Sequence, residues 1–447
     1  MTPQLHPTPQ PPRTPFLLYN VLLSLLVPPL LPVAGLALLL RPRYRLGLGQ
    51  RLGFLPPTLG QRFAARHPVW LHGPSVGEIL ATRPFLQAVK QALPDTPLLV
   101  SVLTPTAYAA AQARLPEADA VIYFPLDHPL VIRRVFRRVR PAAFFFTETE
   151  IWPNFLSALA RRRIPTFLVS GRFSARALTR YRRLSWLFRP IFHNLTLCCM
   201  QTPRDAERVI AAGVPPRRVV VTGTFKVDAA PQGDRRGEAV LQDAGLARRP
   251  LLIAASTHPG EEEVLLHAYT KLRTAVPRLL LLLAPRHPQR FAEVERLLKS
   301  TGYRYLKRSQ AGHGQGEEVE VFLLDTLGEL ASFYSSAALA FVGGSLVKGP
   351  GGHSVIEPAL AQVPVCFGPH TRNFAAVVEA LVQTGGGHEV RDAQSLYEWA
   401  LPLLTDARAR QEAGRRAYEA VKQGHGAVAR TTAAVLPYLR QSAHFQP

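Results

Sequence analysis

The run "LLLLLAPRHPQRF" (Leu279–Phe291) indicates the fold class of the second half of the chain. Five consecutive leucines leave no polar face, so a strand built from them has to be buried on both sides. Strands of this kind belong to parallel sheets covered by helices. Arg286 and His287 follow at once, where such a strand ends. The run therefore predicts a parallel α/β sheet with chemically useful side chains at the carboxyl ends of its strands.

The same alternation of short apolar runs and longer amphipathic stretches recurs from Pro68 onward. The first series of predicted strands is VWLHG, PLLVSVL, AVIYFP, AAFFFTE, TFLVSG, LCCMQT and VVVTGT, and the second is LLIAAS, LLLLLAP, EVFLLD, ALAFVGG and VPVCFGP. Strands that alternate with helices predict doubly wound sheets. The sequence therefore predicts two Rossmann-like domains, 46–230 and 250–425, with a linker at 231–249 and a C-terminal helix or tail at 426–447.

The N-terminus predicts a membrane anchor. Residues 1–15 are rich in proline and are expected to be disordered, whereas Phe16–Leu40 contains no charged residue. An apolar run of that length can span a bilayer, and the arginines that follow place the rest of the chain on the cytoplasmic side. We assign the anchor to residues 16–45. A cleaved signal peptide is the alternative, and prolines inside the run leave open an anchor that lies in the membrane interface.

The composition points to an acidic partner. Lys and Arg total 53 against 31 Asp and Glu, which gives a formal net charge of +22. Such an excess suits nucleic acid, an anionic membrane surface or phosphorylated substrates, although arginine usage across a genome offers a simpler explanation for part of it. The three cysteines form no CxxC motif, so neither a disulfide scaffold nor a zinc site is expected, and a reducing compartment is indicated.

Three junctions in the first domain carry charged residues directly after a predicted strand. Glu78 in "HGPSVGEI" is either a general base or, with Ser75, a helix capping box. Glu148 and Glu150 in "TETEIWPNF" follow a triple-Phe strand, and alternation predicts that they point to opposite sides. Lys226 in "TGTFKVD" suits a phosphate or a developing anion, and a solvated lysine is the alternative.

The second domain has junctions of the same kind. Arg286 follows the leucine strand and suits bidentate phosphate binding. Ser256 and Thr257 in "ASTHPGEEE" can donate hydrogen bonds to phosphate or cap the next helix. "DTLGELASF" places Gly328 and Glu329 at a helix start, where backbone groups could read a base.

The stretch "GGSLVKGPGGHSVIEPA" (Gly343–Ala359) predicts a strand–loop–helix junction that binds a nucleotide. Its glycines allow a close backbone approach, and a helix starting at Ser354 would present N–H groups to phosphate. A carboxylate does not suit phosphate, so Glu357 is interpreted as an acceptor for ribose hydroxyls.

Taken together, these motifs resemble the 3-deoxy-D-manno-octulosonic acid (Kdo) transferases of lipopolysaccharide synthesis. The resemblance covers nearly the whole chain after Arg41. It rests on the motifs SVGE, TETEIWPN, SGRFSAR, TGTFKVD, STHPGEE, APRHPQR, DTLGEL, FVGGSLVKGPGGHSVIEPA and FGPHTRNF. Each piece is weak alone, but the set in this order is specific.

The resemblance implies a GT-B fold, with two Rossmann-like domains facing a cleft, and transfer of Kdo from CMP-Kdo to a lipid A precursor, lipid IVA, with inversion. It implies a location at the inner membrane and neither a metal nor a cofactor, since CMP-Kdo is the donor substrate. The family's proton acceptor matches Glu78, and its transition-state stabilisers match Glu148 and Lys226. Its CMP-binding groups match Pro285, Arg286, Leu327, Gly328, Glu329, Ser354, Val355, Ile356 and Glu357.

The chain departs from the family pattern at a few positions. Ser354 and Val355 stand where asparagine and proline are usual, and Thr224 stands where Asn or Ser is usual. Ser354 keeps the ability to cap a helix, so CMP binding is expected to persist. Two alternatives are kept: a GT-B transferase using another nucleotide sugar on a membrane lipid, and a membrane-tethered nucleic-acid-binding protein.

Overall fold

A computed structural model describes residues 16–25, 29, 45–64, 66–231, 234–312 and 318–441. The chain divides into two compact units. Unit 1 comprises Met1–Ala229 with His425–Pro447, and unit 2 comprises Ala230–Gly424. Residues 1–15 and most of the predicted anchor lie outside the described residues, and a cleft between the predicted domains stays a prediction.

Unit 1 is built on a parallel seven-stranded sheet with the order β3-β2-β1-β4-β5-β6-β7. Its strands are β1 (Val69–His72), β2 (Leu98–Val102), β3 (Ala120–Tyr123), β4 (Ala143–Thr147), β5 (Thr166–Gly171), β6 (Leu197–Met200) and β7 (Val219–Val221). The strand order reverses between β1 and β4. Ligands of open α/β sheets bind at such a switch point, beyond the carboxyl ends of the strands.

Helices cover both faces of this sheet. They are α1 (Leu48–Arg51), α2 (Pro57–Arg62), α3 (Val76–Ala81), α4 (Arg83–Ala92), α5 (Pro105–Arg114), α6 (Pro129–Arg138), α7 (Pro153–Arg161), α8 (Ala175–Arg183), α9 (Ser185–His193), α10 (Pro203–Ala211), α11 (Phe225–Asp228) and, from the C-terminus, α20 (Ala427–Gln441). The triple Phe of β4 shows why two layers are needed. Phe145 packs into one apolar cluster, and Phe144 and Phe146 pack into the other.

Unit 2 repeats the architecture with the strand order β10-β11-β9-β8-β12-β13-β14, again parallel. Its strands are β8 (Leu251–Thr257), β9 (Leu280–Pro285), β10 (Tyr305–Lys307), β11 (Val321–Leu323), β12 (Leu339–Val342), β13 (Val365–Phe367) and β14 (Gly387–Glu389). Its helices are α12 (Arg236–Asp243), α13 (Glu261–Ala275), α14 (Phe291–Ser300), α15 (Leu330–Phe333), α16 (Ile356–Leu360), α17 (Ala375–Thr384), α18 (Ala393–Thr405) and α19 (Ala407–Lys422). The leucines of β9 are fully buried, as their unbroken run predicts.

The structure differs from the pattern-based expectation at three elements. The stretch SVGEILATRPFLQAVKQAL after β1 predicts a single helix, but it forms two, α3 and α4, because Thr82 ends the first helix and Pro84 cannot continue its hydrogen-bond ladder. Strands β10 and β14 were not predicted, since each is a three-residue edge strand with exposed or half-buried side chains. The predicted linker 231–249, whose pattern also allows one helix, contains α12, and this helix buries Leu241 in a unit 2 core cluster.

Residues 16–25 form a helical segment that packs on unit 1. Phe16 is buried, the Tyr19 hydroxyl donates to Asp127, and the Asn154 amide donates to Asn20. Its other face is apolar and exposed and comprises Leu17, Leu18, Val21, Leu22 and Leu25. Over the part of the chain that the structure describes, no helix is long and apolar enough to cross a membrane.

Candidate active site

Glu78 lies in the first turn of α3, just past the end of β1. The expected capping box is present, since the Glu78 N–H donates to Ser75 Oγ (3.4 Å) and the Ser75 N–H donates to Glu78 Oε2 (3.1 Å). Capping fixes the direction of the carboxylate without removing its charge. The two interpretations of Glu78 are therefore compatible, because the cap leaves the carboxylate at the switch point of the sheet.

Glu148 and Lys226 meet at the same edge of unit 1. Glu148 directly follows β4 and has a left-handed backbone, with φ of 53°. Lys226 lies in the first turn of α11, whose N-cap is Thr224. The Lys226 ammonium donates to Glu148 Oε1 at 3.2 Å, and Arg172 lies 3.7 Å from Glu148 Oε2. A left-handed non-glycine residue costs free energy, and such residues cluster at functional sites.

The three carboxylates of this edge influence one another. Burial raises the pKa of Glu78, the Glu148 charge raises it further, and Ser75 and Lys226 oppose the rise. Burial also raises the pKa of Glu150, followed by the charges of Glu78 and Glu148. The charges of Glu78 and Glu148 thus both act on the Glu150 carboxylate.

A small cavity joins these groups. Its lining includes Glu78, Glu148, Ser170 and Lys226, and Thr147 adds a buried Oγ1 that has no hydrogen-bond partner among the described residues. A carboxylate with a raised pKa beside an ammonium–carboxylate pair has the parts for moving a proton near a developing charge. The structure therefore brings together the three residues that the sequence assigned to catalysis.

The residues predicted to bind CMP lie at the carboxyl edge of the unit 2 sheet. Pro285 ends β9 and Arg286 is exposed beyond it, with its N–H donating to Thr257 O at 3.0 Å. Leu327 and Gly328 form an exposed turn after β11, and Glu329 pairs with Arg308 at 3.0 Å. The strands that precede these groups are neighbours in the sheet. Among the described residues, Arg286 and Glu329 make no direct hydrogen bond to each other.

The segment from Ser354 to Glu357 differs in detail from expectation. Helix α16 begins at Ile356, two residues later than predicted, and Ser354 Oγ accepts a hydrogen bond from the Ile356 N–H at 3.4 Å. Burial raises the pKa of Glu357, and a hydrogen bond from Ser354 opposes the rise. Its Oε2 is buried and has no hydrogen-bond partner among the described residues. Such an acceptor lacks a donor, which a ligand hydroxyl could supply.

The glycine-rich stretch does not offer all of its N–H groups to a ligand. The backbone N–H groups of Gly344, Ser345 and Leu346 donate to Glu261 instead. Glu261 is fully buried, although it stands among three consecutive glutamates in the first turn of α13. These three N–H groups are therefore taken by a side chain of the protein, and the prediction that N–H groups at the helix start near Ser354 face phosphate stays a prediction.

Sequence reasoning also missed a cluster of histidines in unit 2. His258 Nε2 lies 2.8 Å from His353 Nε2, and His287 packs edge-on to His258. Burial lowers the pKa of His353 to about 3, and the charge of Arg286 adds to the effect. Histidines within strand-end motifs were a visible signal, but their pairing depends on loops that are far apart in the chain.

Comparison with solved structures defines the fold class. UDP-N-acetylglucosamine 2-epimerase matches with a TM-score of 0.58 and 15% identity, over 86% of this chain and 98% of that chain. The epimerase from Neisseria meningitidis bound to UDP-GlcNAc matches with a TM-score of 0.55 and 14% identity, over 83% and 99%. The fold is thus the predicted pair of parallel α/β domains.

Comparison with sequences identifies the family. Residues 47–229 match the family of 3-deoxy-D-manno-octulosonic-acid transferases. A 3-deoxy-D-manno-octulosonic acid transferase from Haemophilus influenzae is 34% identical over 431 residues, 95% of this chain and 99% of the relative. One from Bordetella pertussis is 36% identical over 406 residues, 87% and 92%. The chain belongs to the Kdo transferase family and is a glycosyltransferase. This favours the Kdo transferase hypothesis over the two alternatives that the sequence left open.

Proposed function

We propose that the enzyme transfers Kdo from CMP-Kdo to a lipid A precursor, lipid IVA, with inversion at the anomeric carbon and with Glu78 as the general base. The observation that carries the proposal is the meeting of Glu78, Glu148 and Lys226 around one cavity at the switch point of unit 1. Membership of the Kdo transferase family supplies the reaction class.

In this proposal Glu78 Oε takes the proton of an acceptor hydroxyl as the hydroxyl oxygen attacks the anomeric carbon of Kdo. The bond between that carbon and the phosphate oxygen of CMP breaks, and its electron pair leaves with CMP. A base works best when its pKa is close to the working pH, and burial moves Glu78 in that direction. Lys226, oriented by Glu148, stabilises the negative charge that develops.

The unit 2 groups are proposed to hold the CMP moiety. Arg286 is exposed and free to form charge-assisted bonds to phosphate, and the unpartnered Oε2 of Glu357 suits a ribose hydroxyl. The turn Leu327–Glu329 is proposed to contact the base. No metal or cofactor is proposed to take part.

The acceptor and the location at the inner membrane, with the catalytic domains on the cytoplasmic side, belong to the same proposal. A lipid A precursor carries phosphates and acyl chains. The enzyme has a net charge of +22 and an exposed apolar helix face at residues 17–25, which suit it to a membrane surface rich in this lipid.

The test is turnover by the purified full chain with CMP-Kdo and tetraacylated lipid IVA. We expect CMP release coupled to acceptor modification, with inverted anomeric configuration by NMR. Glu78→Gln should lower kcat by about 10²–10⁴-fold, the range typical for loss of a general base, while CMP binding by calorimetry stays near the wild-type value. Wild-type turnover with a UDP-sugar but none with CMP-Kdo would contradict the donor assignment, and near-normal kcat in Glu78→Gln would contradict the base.

A further inference from the structure

Glu261 fills an anion-binding turn from inside the protein. Its carboxylate accepts four backbone hydrogen bonds: from Gly344 (2.7 Å) and His258 (2.9 Å) to Oε2, and from Ser345 (2.9 Å) and Leu346 (2.9 Å) to Oε1. Consecutive N–H groups that converge on one anion form a nest, a site that in other proteins holds phosphate. Here the protein's own carboxylate takes that place.

The two glycines that open the stretch are explained by this arrangement. A Cβ at Gly343 would lie 2.6 Å from Glu261 Oε2 and 2.7 Å from the Ser256 carbonyl oxygen. Gly344 has a left-handed φ of 65°, and a Cβ there would lie 2.8 Å from the His353 ring. The glycines therefore make room for Glu261 and His353, since any side chain would push these groups away.

The Gly343–Leu346 turn, held by Glu261, also positions His353. The His353 N–H donates to Gly343 O at 3.2 Å, and the Gly352 N–H donates to Gly344 O at 2.8 Å. The His353 ring stacks on His258, with centroids 5.1 Å apart, and their Nε2 atoms are within hydrogen-bond distance. Because the His258 N–H also donates to Glu261, a single carboxylate holds both partners of the histidine pair.

We propose that Glu261 is a positioning residue for donor binding. It holds the Gly343–Leu346 turn and the His258–His353 pair, and so sets the start of the 354–357 segment, which follows His353 directly in the chain. The inference rests on the proposed function, because it takes that segment to be part of the CMP site. Glu261 itself is fully buried, so it would act through the turn and the histidine pair that it holds.

Calorimetric titration of the full chain with CMP tests the proposal. In Glu261→Gln an amide NH₂ replaces one accepting oxygen and faces backbone N–H groups, so the turn loses charge-assisted bonds. We expect the Kd for CMP and the KM for the donor to rise about tenfold or more, with kcat within about threefold of wild type. Glu263→Gln is the matched control, since Glu263 lies in the same helical turn and is exposed.

A purely structural role would give another pattern. The folded fraction would fall, lowering apparent kcat, while the remaining enzyme bound CMP with wild-type Kd, and this result would overturn the proposal. If Glu261→Gln does not fold, Gly343→Ala carries the test, because its added Cβ crowds the carboxylate without removing it; an unchanged Kd in a folded Gly343→Ala overturns the proposal too. Absence of CMP binding by the wild type would instead refute the proposed donor, and the positioning role with it.

Discussion

At the scale of single residues, Glu78 meets two demands with one carboxylate. As part of the capping box it is held at the start of α3, and as a partly buried acid it has a raised pKa. Its neighbours act in opposite directions, since Glu148 raises the pKa of Glu78 and Lys226 lowers it. Burial is the main cause of the raised pKa of Glu78, and the neighbouring ion pair adjusts it in both directions.

Replacement of Lys226 should move the acid limb of the pH–rate profile. As the proposed base, Glu78 has to be deprotonated, so we expect activity to be lost as the pH falls through its raised pKa. Because Lys226 lowers the pKa of Glu78, Lys226→Met should shift the acid limb of kcat/KM to higher pH, besides lowering its plateau. Lys90→Met is a control, since Lys90 pairs with Asp119 instead. An acid limb that stays in place would argue against Glu78 as the titrating base.

Glu357 should show a conflict between stability and binding. Burial raises the pKa of Glu357, so its ionised form costs the folded state free energy at neutral pH. Glu357→Gln should therefore leave the melting temperature unchanged or higher, yet weaken CMP binding about tenfold through loss of a charged acceptor. Binding of 2′,3′-dideoxy-CMP should be equal in the two proteins. Equal CMP affinity in variant and wild type would rule out the ribose contact.

At the scale of elements, the C-terminal helix α20 completes unit 1. Asp228, at the end of α11, accepts hydrogen bonds from the Gly426 N–H (2.8 Å) and the Val428 N–H (2.7 Å), and so satisfies the first turn of α20. Val435 and Leu439 are fully buried in one of the unit 1 clusters. The last helix of the chain is thus part of the domain that carries Glu78 and Lys226.

Truncation of the buried face of α20 should destabilise the protein. Leu439→Ala should lower the free energy of unfolding by about 2–5 kcal/mol, as expected for a buried leucine that leaves a cavity. Urea denaturation measures the change. Leu130→Ala, at a leucine that is 59% exposed on α6, should cost far less. Equal losses at the two sites would show that α20 does not contribute to the core in solution.

At the scale of the whole molecule, charge and the N-terminal helix predict a two-part association with membranes. The net charge of +22 favours anionic lipid at a distance, and the exposed leucine face at residues 17–25 favours insertion at the interface. Salt screens the first contribution and leaves the second.

Vesicle flotation separates the two contributions. Binding of the full chain to vesicles with anionic lipid should weaken as the salt concentration rises. A smaller part of the binding should persist in high salt. A chain that begins at Arg41 should lose this salt-resistant part and keep the salt-sensitive part. Salt-resistant binding that survives the truncation would place the apolar contact elsewhere on the protein.

Much of the fold was predictable because its signals are local. An unbroken apolar run such as Leu279–Leu283, short and followed at once by polar residues, is typical of a buried strand. Glu78, Glu148, Lys226 and Arg286 follow strand ends, which marked the carboxyl edge of each sheet as the candidate site. The short edge strands β10 and β14 were missed because pairing with a neighbour, and not hydrophobicity, makes them strands.

The sequence by itself determined the class of each domain and the family to which the chain belongs, and it predicted the sheet edges at which the candidate site residues lie. Only the tertiary structure decided which charges meet. The ion pair of Lys226 with Glu148 joins residues from separate βα units, and three of the four N–H groups that donate to Glu261 come from Gly344, Ser345 and Leu346, more than 80 residues away in the chain. The physical reason is range: burial and periodicity are written in adjacent residues, whereas hydrogen bonds and pKa shifts depend on distances that exist only after the sheet has formed.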